Sequence, residues 1–150
     1  RDERQHYVYG LDGRRRDRPG AGPAALMNDP LLTIHLPGEV APSWNRFYAG
    51  VHWVERQELA AETHWLIKAS LSPDQQPITT PVFLRYDATF TVHPLDADNI
   101  MAKLYTDGLV AAGVLAGDDW RRVRGVAVYS HKGREPGITI TIYEANEEKS

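Results

Sequence analysis

Cysteine is absent from this 150-residue chain. Its absence removes disulfides, thiolate metal sites and a cysteine nucleophile in one step, and suits a reducing compartment. Also missing is any run near the roughly 18 consecutive apolar residues that a membrane span needs, and no secretory-signal pattern is present. The expectation is a cytoplasmic protein. Positive charge is scarce as well: Lys plus Arg total 17 against 20 for Asp plus Glu, a formal net of −3. That balance runs against a nucleic-acid binder, whose affinity usually rests on phosphate contacts. What remains is ordinary for a globular protein: 42% apolar and 25% charged residues, in a length that suits one domain with one core.

The charge is unevenly spread. Before Met27, six arginines (Arg1, Arg4, Arg14, Arg15, Arg16, Arg18) face Asp2, Glu3, Asp12 and Asp17, a net of +2 that leaves −5 for the rest. Residues 1–26 also hold Gly10, Gly13, Gly20, Gly22, Pro19 and Pro23, and show no apolar periodicity. They are expected to form a flexible leader or, alternatively, a basic arm for nucleic acid. A single domain is then expected over 27–150.

Within that domain, Leu31 to Leu36 predicts a strand stopped by Pro37-Gly38, followed by a loop through Pro42-Ser43-Trp44-Asn45-Arg46. From about Val54 to Leu71 the spacing predicts a helix with Leu59, Thr63, Leu66 and Ile67 on one face. Pro81 to Val92 alternates: Val82, Leu84, Tyr86, Ala88, Phe90 and Val92 take one face, Phe83, Arg85, Asp87, Thr89 and Thr91 the other. A second helix is expected from Asp98-Asn99 to about Ala112, burying Ile100, Leu104, Gly108 and Ala111 and stopped by Gly113. Two further strands, 123–130 and 137–143, are expected to form a hairpin through Lys132-Gly133-Arg134-Glu135-Pro136. The order β-α-β-α-β-β predicts an α+β fold, a small mixed or antiparallel sheet with two main helices packed on it.

The segment with most chemical content is Asp96-Ala97-Asp98-Asn99. In extended backbone residues i and i+2 point the same way, so both carboxylates can converge on one point. Converging carboxylates repel one another and stay ionised cheaply only with a cation between them. Oxygen-only ligation suits Mg²⁺ or Mn²⁺, the ions that assist phosphodiester hydrolysis. An ordinary structural role stands beside this: Asp98 can cap the following helix and Asp96 can be a loop residue. Asp118-Asp119 after Gly117 likewise suits a simple turn.

Taken together, Asp96-Ala97-Asp98-Asn99, Lys103, Asp107-Gly108-Leu109, Ala112-Gly113-Val114-Leu115 and Asp118-Asp119 resemble the signature of RusA-like Holliday junction resolvases. The loop with Leu36-Pro37-Gly38 and Pro42-Ser43-x-Asn45, the helix after it, and Pro136-Gly137 leading into Ile138-Thr139-Ile140 are similar to the family more loosely, over Leu31 to Tyr143. The resemblance implies a RusA-like α+β fold and a homodimeric, Mg²⁺- or Mn²⁺-dependent endonuclease, from a bacterium or phage, that cuts four-way DNA junctions symmetrically. It implies metal-binding roles for Asp96, Asp98 and Asp119, with Asp118 as the alternative to Asp119. Lys103 would stand near the scissile phosphate. Two departures are visible: Lys103 follows Asp98 by five residues rather than four, and Gly117 delays the acidic pair by one. On a continuous helix the first shift turns the Lys side chain by about 100°. Lys103 and Asp107, at i and i+4, also fit a surface ion pair.

Candidate phosphate contacts are Arg46, Arg121, Arg122, Arg124, Lys132 and Arg134, with Arg56, Lys68 and Arg85 as further basic groups. Trp44, Trp53, Trp65 and Trp120 are candidates for base stacking, one or two of them for the core. His35, His52, His64, His93 and His131 show no paired ligand spacing, and only His93 is near the acidic motif. Two other readings remain: a protein of the same fold that binds branched or duplex DNA without cutting it, and an α+β interaction domain in which the aspartates only cap and turn.

Overall fold

The computed structural model describes residues 29–49 and 52–146. The expected leader, residues 1–26, lies outside them. Four strands form one mixed sheet in the order β1-β4-β2-β3: β1 Leu32–Pro37, β2 Val82–Phe90, β3 Val123–Lys132 and β4 Gly137–Glu144. Three helices accompany it: α1 Trp44–Ala49, α2 Trp53–Ala69 and α3 Ala102–Ala111. The α+β expectation therefore holds, with a mixed sheet. No helix among the described residues is long and apolar enough to cross a membrane.

The centre of the molecule is β2, and its alternation explains why. Val82, Leu84, Tyr86 and Ala88 are at most 1% exposed, while Phe83, Arg85, Asp87 and Thr89 between them stay partly open. A strand that buries every second side chain must lie under a covering layer on one face only. That layer is α2 and α3, which pack on each other and deliver Ile67, Leu104 and Leu109 to the same core as Ile34, Leu36, Ile138, Ile140 and Ile142. Burying one such aliphatic side chain contributes roughly 1.5–3 kcal/mol. A buried polar pair at the sheet–helix contact, Tyr86 and Thr106, is satisfied. Thr106 Oγ1 donates to the Ala102 carbonyl at 3.3 Å, so the Tyr86 hydroxyl donates to Thr106 at 2.6 Å.

Expected and observed helices differ in detail. On α2, Thr63 and Ile67 are buried and Leu59 and Leu66 pack against the core, as the spacing predicts. On α3, Leu104 and Gly108 are buried, but Ala111 is exposed; Tyr105 and Leu109 complete the inner face. The buried side centres on Tyr105 and Leu109, which leaves Ala111, the last residue of α3, at its margin. Residues Ala97–Asn99 form a 3-10 turn, Ile100 and Met101 are non-helical, and α3 begins at Ala102. An additional helix, α1, occupies the expected loop. Ser43 caps it, its Oγ accepting from the Arg46 amide at 3.1 Å.

The expected β3–β4 hairpin is absent. β3 pairs with β2 in parallel, from Val82 opposite Val123 to Phe90 opposite Lys132, while β4 lies antiparallel between β1 and β2. The link from β3 to β4 thus passes over the end of β2. Gly133 makes that passage, donating its amide to the Phe90 carbonyl at 2.9 Å. A Cβ there would lie 2.7 Å from the Thr89 methyl, which is why the crossing residue is glycine.

Two substitutions separate the apolar from the polar part of this core. Ile140→Ala, at a fully buried position of β4, is expected to cost about 2–5 kcal/mol. Tyr86→Phe removes only one satisfied bond and is expected to cost about 1 kcal/mol. Urea unfolding midpoints measure both, and comparable losses for the two would contradict this division.

Candidate functional site

The acidic motif is held between two parts of the chain. The Met101 amide donates to the Pro42 carbonyl at 2.9 Å, Ser43 bridges to Ile100, and the Asn45 amide donates to Asn99 Oδ1 at 3.4 Å. The start of α1 is thereby pinned to the turn that follows β2. Between them lies a recess of about 360 Å³ lined by Trp44, Asn45, Asp96, Asp98 and Asn99. Both aspartates the motif singled out line this one recess. Neither carboxylate has a hydrogen-bond or ion-pair partner among the described residues, unlike Asp87, Asp107, Asp118 and Asp119.

The helix-cap role for Asp98 is not what the fold uses. Asp98 sits within the 3-10 turn, and Met101, the residue before α3, makes no side-chain cap. Between Asp98 and Lys103 the chain runs through the end of the 3-10 turn and the non-helical residues Ile100 and Met101. The 100° rotation expected on a continuous helix therefore does not apply, because no helix joins the two residues.

Asp118 and Asp119 do not line the recess; they precede β3, whereas Asp96 and Asp98 follow β2. Lys103 Nζ bonds Asp107 at 3.0 Å and Asp118 at 3.3 Å, all three side chains being largely exposed. The surface ion pair expected for Lys103 and Asp107 is thus present, and it widens to include Asp118. Asp107, and then Asp118, hold the Lys103 ammonium above its ordinary pKa. Asp119 accepts from the Arg121 amide at 2.9 Å and pairs with the Arg122 guanidinium. The amide first and the guanidinium second hold its carboxyl below the usual carboxylate range.

Among the described residues no group of three or more His, Asp or Glu side chains converges to hold a metal ion. The donor set fits a simpler arrangement. Mg²⁺ commonly takes one or two protein carboxylates and completes its shell with water and substrate phosphate. Asp96 and Asp98 supply such a pair. Recruiting Asp118 or Asp119 to the same ion would require a cation to displace Lys103 or Arg122.

The basic candidates divide among three regions: α1, the end of β3 and the segment entering β3. Arg46 is exposed on α1, next in sequence to Asn45 of the recess, while Lys132 and Arg134 are exposed where β3 leaves the sheet. Arg121 and Arg124 stand over the Trp120 ring at 5.3 and 6.0 Å, and that ring is 70% exposed. Arg122 is paired to Asp119. Of the four tryptophans only Trp44 packs against the core; Trp53, Trp65 and Trp120 are exposed. His93 is exposed and does not line the recess.

One polar network was not anticipated. On the open face of the sheet Arg85 Nε and Nη2 hold Asp87 at 2.9 and 3.2 Å, and His131 Nε2 meets the same carboxylate at 2.7 Å. Arg85 also lies over the Tyr129 ring at 4.4 Å. Alternation in β2 places Arg85 and Asp87 on one face, but the partner from β3 depends on parallel register, Asp87 facing Tyr129 with His131 two residues on. Arg85 is consequently engaged within the fold. No family model matches the chain, and no curated protein matches it.

Burial would raise the Asp87 pKa, but His131 and Arg85 outweigh it and the carboxyl lies below its ordinary value. A lowered carboxyl pKa stabilises the fold above the unfolded value and ceases to do so as pH falls through the folded one. Asp87→Asn is therefore expected to lower the urea midpoint at neutral pH, with the gap to the native chain closing below about pH 4. A gap that persists unchanged in acid would remove the ionised network as its cause. Lys103→Gln, by contrast, touches only exposed pairs and is expected to change stability by less than about 1 kcal/mol in the same assay.

Proposed function

We propose that the chain is a Mg²⁺- or Mn²⁺-dependent endodeoxyribonuclease of the RusA type. It would resolve four-way (Holliday) DNA junctions in recombination and repair by phosphodiester hydrolysis. The observation that carries this reading is that Asp96 and Asp98, the residues at the centre of the motif resemblance, share one polar recess and have no cationic partner there. Asp96 and Asp98 would hold a divalent ion, which would supply a Lewis acid for the phosphoryl oxygen and lower the pKa of water. Asn45 and Asn99 line the same recess and offer amide groups that orient a phosphate or its water shell. Lys103 would serve the charge developing at the phosphate if the approach of DNA drew it from Asp118. Arg46, Lys132 and Arg134, with Arg121, Arg122 and Arg124 farther along the chain, would contact the backbone. Two symmetric cuts require two such sites related by a two-fold axis, hence a homodimer.

A second reading, a protein of the same type that binds branched or duplex DNA without cutting it, is favoured by one observation. Lys103, Asp118 and Asp119 are engaged with one another or with Arg122 rather than turned to the recess. Cleavage of a labelled four-way junction against matched linear duplex, with Mg²⁺, Mn²⁺ or EDTA, separates the two. Paired cuts confined to the junction are expected, abolished by EDTA and reduced about 100-fold or more in Asp98→Asn. Junction binding without cutting would select the second reading, and neither binding nor cutting would remove both.

A further inference from the structure

Beside the acidic recess lies an aromatic surface that the nuclease chemistry does not use. Trp44 and Tyr48, one turn apart on α1, stack with ring centroids 5.5 Å apart and planes inclined by 9°. Phe47 between them is buried and anchors the helix, while Tyr48 is 58% exposed. From α2, the Arg56 guanidinium stands over the Tyr48 ring at 5.8 Å, and its Nε is buried without a hydrogen-bond partner. Trp53, in the first turn of α2, is 56% exposed. Neither Arg46 nor Arg56 has an ion pair among the described residues. In a chain with an excess of acid, unneutralised guanidinium groups interleaved with flat rings are specific. Trp44 belongs both to this stack and to the wall of the Asp96–Asp98 recess, so the two surfaces are continuous.

We propose that Trp44, Tyr48 and Arg56, with Arg46 and Trp53 at the margin, form a stacking platform for unpaired nucleotides of a DNA strand that enters the recess. The proposal rests on the nuclease reading and adds how the strand is positioned. Every base offers a π-face, so aromatic rings hold single strands with little sequence preference, while arginines track the phosphates. A stack that ends at the carboxylate recess would take a base splayed from a branch point and set its phosphate beside Asp96 and Asp98. Intact duplex, whose bases are already stacked, cannot use the platform. Tyr48 is thus a positioning residue that favours strands with unpaired bases.

The test is fluorescence anisotropy of a short labelled oligothymidylate with the full chain in EDTA, comparing native protein with Tyr48→Ala, Tyr48→Phe and Arg46→Gln. Native protein is expected to bind, Tyr48→Ala to bind roughly fivefold or more weakly, and Tyr48→Phe to keep the native affinity. Arg46→Gln is expected to reduce the salt dependence by about one charge. Because Tyr48 is exposed, its loss leaves the core intact, and the Phe variant separates the ring from the hydroxyl. Failure of native protein to bind, or equal binding by Tyr48→Ala, overturns the platform. So does self-association, seen by sedimentation, that Tyr48→Ala abolishes in a chain that binds no oligothymidylate; the surface would then be a contact between copies. Without metal the assay is blind to cleavage. Ring-dependent binding with an uncut junction would overturn the nuclease alone, and junction cleavage with ring-independent binding would overturn the platform alone.

Discussion

Everything in this fold depends on β2 having a parallel neighbour on one side and an antiparallel neighbour on the other. Antiparallel strands can be joined by a tight turn, but a parallel pair requires the chain to travel back along the sheet before it can begin again. Between β2 and β3 that return is made by residues 91–122, containing the 3-10 turn, α3 and the acidic pair. The apolar face of β2 draws α3 onto one side. The turn at Ala97–Asn99 is then what converts the end of a strand into the start of a helix, and it carries Asp96 and Asp98 with it. Placement of the acidic motif follows from topology.

The same topology explains why the carboxylates fall into separate electrostatic settings. Asp118 and Asp119 end the return path, where Lys103, Arg121 and Arg122 are at hand. Asp96 and Asp98 begin it, opposite the amides and indole of Asn45, Asn99 and Trp44. One pair is neutralised by the chain's own cations and the other is left with neutral groups. Like charges held near each other against neutral walls attract a cation, whereas carboxylates already bonded to Lys or Arg must give up a partner to accept one. On the proposed reading, the recess and not the acidic pair would hold the cation. The Trp44–Tyr48 stack beside it would, on the same reading, extend the surface toward the bases of a bound strand.

Much of this was legible before any tertiary contact was known. The period-two pattern of Val82 to Phe90 fixed which side chains enter the core, and Thr63 and Ile67 were correctly placed on the inner face of α2. Asp96 and Asp98 do line one recess, but through the 3-10 turn at Ala97–Asn99 and not through the extended backbone that the i, i+2 spacing presumes. Where expectation and structure part, the missing term is non-local. α3 starts later than a capping argument predicts, after the Pro42–Met101 and Ser43–Ile100 contacts with a distant loop, and its buried side centres on Tyr105 and Leu109, with Ala111 exposed at its last residue. The α1 helix hid within that loop, although its Ser43 cap was written in the sequence.

Local sequence determined the four strands, the two longer helices and most of their buried faces, because side-chain period and turn chemistry act over a few residues. Strand order was decided only in three dimensions. A short loop between β3 and β4 reads as a hairpin, yet β4 gains two partners by inserting between β1 and β2, where Ile138, Ile140 and Ile142 are buried more completely than an edge would allow. From that insertion come the Gly133 crossing, the Asp87–His131 contact and the parallel pairing of β2 with β3. Each is a relation between residues far apart in the chain, which composition and spacing do not encode.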